Sequence, residues 1–231
     1  MSFVINPYRF GGLIGTNPTS TNLWGWWSLS DTSDEAGTFS NLTNNNTATF
    51  TSGYNGNALT LDGVNQYLSL ADEAWPTGAQ TWAVFIKPAN LTGSQCIMTK
   101  GGSSSGNYGI NWFVNSSGNI TFVASSNGTV FAVTTSTTTV AALSWVHVAV
   151  VYDPGAGTPY IKIFIDGVED VSNTTSIPAQ INDSTAAFCI GTLDSGSNPF
   201  EGQIDDACIF DKALSTDEVK WLVHNTYADL T

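Results

Sequence analysis

One stretch near the carboxyl end decides the fold, and it reads Phe200-Glu-Gly-Gln-Ile-Asp-Asp-Ala-Cys-Ile-Phe-Asp-Lys-Ala-Leu-Ser-Thr-Asp-Glu218. Its first half places a glycine, an acidic pair and an apolar run in an order that predicts a half-buried strand. Its end, Ser215-Thr-Asp-Glu218, has the pattern of a capping box, in which the serine side chain accepts from the helix amides and the glutamate reaches back. Apolar residues then recur at helical spacing, so one short amphipathic helix should follow and end near Thr226.

The same stretch resembles the closing strand of a laminin G-like jelly roll. Other segments match that family in the expected order: Gly56-Asn-Ala-Leu-Thr-Leu-Asp-Gly-Val-Asn-Gln-Tyr-Leu68, Trp82-Ala-Val-Phe-Ile-Lys-Pro88, Trp145-Val-His-Val-Ala-Val-Val-Tyr152 and Phe164-Ile-Asp-Gly167. The resemblance covers roughly residues 22 to 226. It implies an all-β fold, a concanavalin A-like jelly-roll β-sandwich of two antiparallel sheets with one short C-terminal helix.

The spacing of short apolar segments agrees with that fold. From Trp24 onward, such segments alternate with Gly, Asn, Ser and Asp clusters, as is typical of a sandwich. Residues 81 to 87 are apolar on both faces, which predicts a central strand covered on both sides. The loop 153 to 159 between two valine- and isoleucine-rich segments predicts a hairpin. We expect one jelly-roll domain over residues 22–231, preceded by an extended arm over residues 1–21.

Composition excludes several classes of partner. Of 231 residues, 42% are hydrophobic and 12% aromatic, which is ample material for a core. Six Lys and Arg oppose 19 Asp and Glu, giving a net charge of -13, so binding to nucleic acid or to sulfated polyanions is not expected. No stretch approaches the ~20 apolar residues that span a bilayer, and the start lacks the pattern of a secretory signal. We therefore expect neither a nucleic-acid partner nor a membrane partner.

The three cysteines leave two interpretations open. Cys96, Cys189 and Cys208 lie in apolar segments, and no spacing resembles a metal-binding CxxC motif. They are either small buried core residues or include a Cys189 to Cys208 disulfide.

The sequence offers no catalytic pattern. Retaining glycoside hydrolysis needs two carboxylates on one face about 5 to 5.5 Å apart, and the Glu-x-Asp-x-x-Glu strand of sandwich glucanases does not occur here. His147 lies in a valine-rich strand and is interpreted as a buried, hydrogen-bonded histidine. We expect no enzyme activity.

A calcium ion is the metal that the resemblance implies. In the jelly-roll family, an Asp-rich loop and the acidic pair of the last strand commonly meet around one structural Ca²⁺, which prefers oxygen ligands. Asp31, Asp34, Asp205 and Asp206 match those positions, although the loop departs from the usual Asp-x-Ser-Gly pattern. The alternative is that these carboxylates only form turns and accept backbone amides without a metal.

Aromatic residues in loops are candidates for sugar binding, because pyranose rings stack on Trp and Tyr. The candidates are Tyr54, Trp75, Tyr108 and Trp112. The alternative for each is a place in the core, since Trp and Tyr are usually well buried.

The amino-terminal arm carries a second resemblance. Met1-Ser-Phe-Val-Ile-Asn-Pro-Tyr8 is similar to the opening of small structural proteins of tailed bacteriophages. An assembly arm of Phe3, Val4, Ile5, Tyr8 and Phe10 could dock on a neighbouring subunit by strand addition. The alternative is that the arm folds back over the edge of the domain's own sheet.

Together these features predict a non-catalytic structural or adhesion protein of a virion surface, such as a capsid decoration protein, head fibre or tail appendage. It would be made in the host cytoplasm and would contact other virion proteins, or copies of itself, through the arm. Its outward loops would bind host-surface glycan or another virion protein, or would only shield the particle. The alternative is an extracellular lectin module, free or attached to an enzyme.

Overall fold

Strands dominate the computed structural model, which describes residues 15–102, 106–155, 157–193 and 196–230. In these ranges the elements are β1 Leu23–Trp27, β2 Thr43–Asn45, β3 Thr49–Ser52, β4 Asn57–Asp62, β5 Tyr67–Leu70, β6 Gln80–Pro88, β7 Gln95–Lys100, β8 Ile110–Val114, β9 Asn119–Ser125, β10 Phe131–Thr139, β11 Val146–Asp153, β12 Tyr160–Ile165, β13 Val168–Asn173, β14 Phe188–Ile190, β15 Glu201–Phe210 and α1 Thr216–Leu222. Two short 3-10 turns cover Ser20–Asn22 and Tyr227–Asp229.

The strands form two antiparallel sheets that face each other. The larger sheet has eight strands in the order β13-β12-β11-β6-β15-β4-β3, with β1 also paired to β15, and the smaller has seven in the order β10-β9-β8-β7-β14-β5-β2. Strands that are consecutive in the chain repeatedly change sheet, as in a jelly roll. The predicted all-β sandwich with one short C-terminal helix is confirmed.

The core follows from the alternation of side chains along each strand. Trp82, Val84 and Ile86 of β6 face the smaller sheet and belong to the inter-sheet cluster. Ala83 points to the other side and lies in a second cluster, under α1. Strand β6 is therefore covered on both faces along this part, as its sequence predicts.

Helix α1 closes the outer face of the larger sheet. The predicted capping box is present: the Glu218 amide donates to Ser215 Oγ at 3.3 Å, and the Ser215 amide donates to Glu218 Oε2 at 2.7 Å. Trp221 and Leu222 pack into the outer cluster. The helix ends at Leu222, earlier than the predicted Thr226.

The described chain begins against this helix. A Cβ atom at Gly15 would lie 1.8 Å from the Asp217 carbonyl oxygen, so this close approach requires glycine. Asn17 Nδ2 donates to the Asp229 carbonyl at 3.1 Å. The predicted assembly arm of Phe3, Val4, Ile5, Tyr8 and Phe10 lies outside the described residues, and the boundary at residue 22 stays a prediction.

The three cysteines are buried thiols. Cys96 and Cys189 lie in the smaller sheet and Cys208 in the larger, so the Cys189 to Cys208 disulfide that the sequence left open is not formed. Burial raises the pKa of the Cys96 and Cys208 thiols. Among the helices of the described ranges, none has the length and apolar character needed to cross a membrane.

Candidate functional site

A cleft of about 380 Å³ opens on the outer face of the larger sheet. Its floor comes from neighbouring strands, since Phe85 of β6 and His147 of β11 are paired and point to the same side. Its walls include Tyr54 from the turn before β4, Trp145 just before β11 and Asp166 from the turn after β12. The antiparallel order of the strands therefore brings residues distant in sequence to one concavity.

Aromatic rings form one side of the cleft. Tyr54 stacks on Phe85 with ring centroids 4.1 Å apart, and Trp145 stands edge-on to Tyr54 at 6.1 Å. Phe85 is buried, whereas Tyr54 and Trp145 are half-buried. The rings hold one another in place, so the cleft presents a preformed aromatic surface.

Polar groups also line the cleft. The backbone amide of His147 donates to Asp166 Oδ1 at 2.9 Å, and the Asp166 amide donates to the His147 carbonyl at 2.8 Å. Asp166 has φ of 47°, so it begins the turn with Gly167 in the left-handed region. These bonds place an exposed carboxylate at the end of the hairpin, next to the exposed Ser144.

His147 is buried, as predicted, but its Nδ1 atom has no hydrogen-bond partner among the described residues. Burial, with a smaller contribution from His224, lowers the pKa of His147 to about 3. The imidazole is therefore neutral at neutral pH. His147, which carries this unpaired nitrogen, is one of the residues that line the cleft.

The sequence-based sugar candidates separate into two groups. Tyr54 lines the cleft, and the half-buried Tyr108 packs edge-on against Phe131 at 5.0 Å beside the smaller sheet. Trp75 is 5% exposed and Trp112 is fully buried, both in the inter-sheet core. Both tryptophans thus occupy the core position that was the alternative to sugar stacking, and in this arrangement neither is open to a ligand.

Sequence reasoning missed Trp145 and Asp166 as site residues. Both belong to motifs that indicate the fold, Trp145-Val-His-Val-Ala-Val-Val-Tyr152 and Phe164-Ile-Asp-Gly167, and neither motif marks them as ligand-binding residues. The structure shows that Trp145 precedes the first residue of β11, Val146, and the sequence alone gave no signal of this.

The acidic pair Asp205 and Asp206 lies where β15 changes neighbours. Residues 201 to 204 pair with β4, whereas residues 207 to 210 pair with β1. The register against β6 shifts between Asp205 and Cys208, and Asp206 has φ of 47°. This bulge lets both carboxylates reach the turn that carries Tyr54.

Hydrogen bonds show what the pair does. Asp205 Oδ2 accepts the backbone amides of Tyr54 at 2.8 Å and Asn55 at 2.9 Å. Asp206 accepts from Asn55 Nδ2 at 2.6 Å and from Trp26 Nε1 at 3.2 Å. The pair therefore fixes the turn that holds Tyr54 in the cleft.

Both carboxylates titrate unusually. Burial, and then the nearby charge of Asp206, raises the pKa of Asp205 to about 7. Burial raises the pKa of Asp206 to about 6, with a smaller contribution from Glu35. Asp205 Oδ1 is buried and has no hydrogen-bond partner in the described residues. Burial of this oxygen therefore disfavours the ionised carboxylate, in agreement with the raised pKa.

The other two predicted calcium ligands, Asp31 and Asp34, each accept hydrogen bonds from backbone amides. Asp31 Oδ1 accepts the Ser33 amide at 2.7 Å. The oxygens of Asp34 accept four backbone amides at 2.8 to 3.1 Å, those of Trp26, Ala36, Thr38 and Phe39. In the described ranges, no three His, Cys, Asp or Glu side chains form a group suited to a metal ion. The four carboxylates do not meet as a shared site, and the structural Ca²⁺ stays a prediction.

The raised pKa of Asp205 predicts a pH-dependent stability. The folded state holds an extra proton between about pH 4 and pH 7, so the contribution of Asp205 to the free energy of unfolding falls as pH rises through this window. We expect wild type to lose stability relative to Asp205→Asn, by on the order of 3 kcal/mol between pH 4 and pH 8. Asparagine keeps an oxygen acceptor for the Tyr54 and Asn55 amides.

Urea unfolding of both proteins across this pH range measures the difference. His147 acts in the opposite direction, because its lowered pKa makes stability rise as pH rises from about 3 to 6.5. Its effect is present in both proteins and cancels in the comparison. Parallel stability curves would show that Asp205 is ionised in the fold throughout.

The fold and its site define a lectin-like β-sandwich: two jelly-roll sheets closed by β15, with a preformed cleft on an outer face. A family model described as the concanavalin A-like lectin/glucanases superfamily, Laminin_G_3, matches residues 62–220, which is more than half of the chain. The chain belongs to this superfamily. A comparison with curated proteins finds no match.

Solved structures show the same fold. Domain 4 of AbnA, an extracellular arabinanase of Geobacillus stearothermophilus solved with arabinotriose, is 22% identical with a TM-score of 0.72, over 87% of this chain and 98% of that one. The binding domain of Paraclostridial mosquitocidal protein 1 is 13% identical with a TM-score of 0.69, over 88% and 52%. The botulinum neurotoxin serotype D ligand binding domain, solved with N-acetylneuraminic acid, is 16% identical with a TM-score of 0.64, over 89% and 51%. The chain thus spans about half of each toxin domain.

Proposed function

We propose that the chain is a non-catalytic carbohydrate-binding module that holds a glycan in the outer-face cleft. The observation that carries this proposal is the meeting of the half-exposed Tyr54 and Trp145 rings with the polar groups of Asp166, Ser144 and His147 in one open concavity. Apolar ring faces and a few convergent polar groups are what a sugar needs, because its CH faces stack while its hydroxyls form hydrogen bonds.

The fold adds support from proteins of the same shape. The arabinanase domain and the serotype D toxin domain were each solved with a bound sugar. A rigid cleft also limits the conformational entropy lost on binding. In this chain, the Asp205 bonds to the turn that carries Tyr54 supply that rigidity.

The placement of the glutamates supports the absence of catalysis. Glu218 caps α1 and pairs with Lys212, Glu169 pairs with Lys162, and Glu35 accepts from Ser28 Oγ. Each of these three is engaged in a different part of the fold, and among the described residues that line the cleft, Asp166 is the only one with a carboxylate. Hydrolysis by paired carboxylates needs a second carboxyl group on the same site.

Trp145→Ala is expected to weaken glycan binding by about 30-fold, because it removes a half-buried ring that lines the cleft. Calorimetry, with a ligand first found by screening a glycan array, measures this loss. The matched control is Phe131→Ala, which removes a ring that is 42% exposed on the smaller sheet. Loss of binding in the control, with Trp145→Ala unaffected, would place the sugar beside Tyr108 and contradict the proposal.

We further propose that residues 1–21 attach this module to a virion, with Phe3, Val4, Ile5, Tyr8 and Phe10 docking on another virion protein or on a second copy. The support is the apolar sequence of the arm and its resemblance to openings of tailed-phage structural proteins. Apolar, extended arms of this kind bind by adding a strand to a sheet edge.

Deleting residues 2–14 is expected to convert a self-assembled protein into monomers while glycan affinity stays the same. The deletion removes the apolar arm but keeps Gly15 and Asn17, which contact the C-terminal segment. Light scattering after size-exclusion chromatography measures the mass. A full-length chain that is monomeric and binds glycan would instead favour a free or enzyme-appended module.

A further inference from the structure

Lysine pairing is uneven across this acidic chain. Lys100 lies 2.7 Å from Asp72, Lys162 lies 2.9 Å from Glu169, Lys212 lies 2.7 Å from Glu218, and Lys220 lies 3.5 Å from Asp217. In the described ranges, the remaining lysine, Lys87, has no carboxylate partner. An ammonium group without a counter-ion is unexpected in a chain of net charge -13.

Lys87 lies directly beside the cleft. It follows Phe85 by two residues on β6, so both side chains point to the outer face of the larger sheet. Its Nζ atom lies 5.9 Å from the centroid of the Trp145 ring and 3.5 Å from Gln203 Oε1. These contacts orient the ammonium group next to the sugar-stacking ring, but neither neutralises its charge.

We infer that Lys87 binds the carboxylate of an acidic sugar, a sialic or uronic acid, whose ring stacks on Trp145. This inference rests on the proposed glycan-binding function and names its ligand class. One ammonium group matches one carboxylate, and a hydrogen bond to a charged group contributes more than a neutral one. The sugar carboxylate then takes the place of the counter-ion that the other lysines find within the chain.

The net negative charge does not prevent this. The Debye length is about 8 Å at physiological salt, so distant carboxylates are screened while a contacting ammonium group is not. The cleft's own carboxylate, Asp166, has its Oδ1 engaged by the His147 amide. A polysulfated chain would face the whole acidic surface, and Lys87 is the one lysine of the described ranges without a carboxylate partner, so the cleft selects singly charged sugars over polyanions.

The test compares oligosaccharide pairs that differ by one acidic sugar, such as lactose and sialyllactose, or a neutral oligosaccharide and its uronic acid counterpart. Calorimetry on the full chain measures both members. Wild type is expected to bind the acidic member of at least one pair about tenfold more tightly, and this preference should shrink as NaCl rises from 50 to 300 mM.

Lys87→Met keeps an unbranched side chain of similar length beside Trp145 but removes the charge, so it is expected to abolish the preference while the neutral member still binds. Lys162→Met removes the same charge from the Glu169 pair, away from the cleft, and should keep the preference. Equal binding of both members by wild type, or equal loss in both variants, would overturn the inference alone. Binding of neither member of any pair would overturn the proposed function and the inference with it.

Discussion

Lys100→Met is expected to lower the free energy of unfolding by about 3 kcal/mol, with a fall in melting temperature of roughly 10 °C. Lys100 is 1% exposed at the end of β7. Its Nζ atom donates to Asp72 Oδ1 at 2.7 Å and to the carbonyls of Ser184 at 2.5 Å and Ala186 at 2.8 Å. Methionine fills similar space but donates nothing, so two carbonyl groups lose their partner in a buried site.

The matched control is Lys162→Met, which breaks a pair whose side chains are 28% and 36% exposed. We expect a loss below about 1 kcal/mol there, because water replaces the lost contact. Chemical unfolding of both variants measures the difference. Equal losses of unfolding free energy would show that the contacts of Lys100 with Asp72, Ser184 and Ala186 stabilise the fold no more than a surface ion pair does.

Trp75→Ala is expected to cost about 3–5 kcal/mol, because it empties a large volume in the inter-sheet core. The ring stacks on Phe188 at 5.1 Å and on Phe39 at 6.1 Å, and Trp82 lies at 5.7 Å. Lys100 Nζ lies 5.8 Å above it. Truncation therefore removes these aromatic contacts and also the ring that lies beneath the Lys100 ammonium group.

Trp75→Phe tests the loss of the indole N–H separately from the loss of side-chain volume. Phenylalanine retains most of the ring packing and removes an indole N–H that has no hydrogen-bond partner among the described residues. We expect a loss of less than about 2 kcal/mol, measured by urea unfolding alongside Trp75→Ala. Unchanged stability of Trp75→Ala together with lost glycan binding would restore Trp75 as a sugar-stacking residue.

Local patterns in the sequence were sufficient for two elements of the fold, whereas the jelly-roll architecture was implied by the resemblance to laminin G-like domains. The capping box at Ser215 depends only on residues three apart, and the double-sided apolar run around Trp82 requires cover on both faces wherever the strand lies. The capping box depends on neighbours along the chain, and the double-sided apolar strand depends on burial alone. They were therefore predictable before any tertiary contact was known.

The candidate site was much less predictable. Tyr54 and Trp75 look alike in sequence, yet one lines the cleft and the other lies in the core. Asp205 and Asp206 suggested a metal, whereas their observed partners are amides and an indole that lie far away in the chain. Which partner a carboxylate finds depends on the bulge in β15, and the sequence contains no local mark of it.

By itself, the sequence determined that the chain is strongly acidic and that the strand around Trp82 is covered on both faces, and its resemblance to the laminin G-like family implied the two-sheet jelly roll. Periodicity and charge are properties of neighbouring residues and of the total, so they can be read without coordinates. Only the tertiary structure decided that Tyr54, Trp145 and Asp166 line one cleft, and that Lys87 lies beside Trp145 with no carboxylate partner among the described residues. Such a site depends on strand order and register, because antiparallel pairing joins residues that are separated by tens of positions.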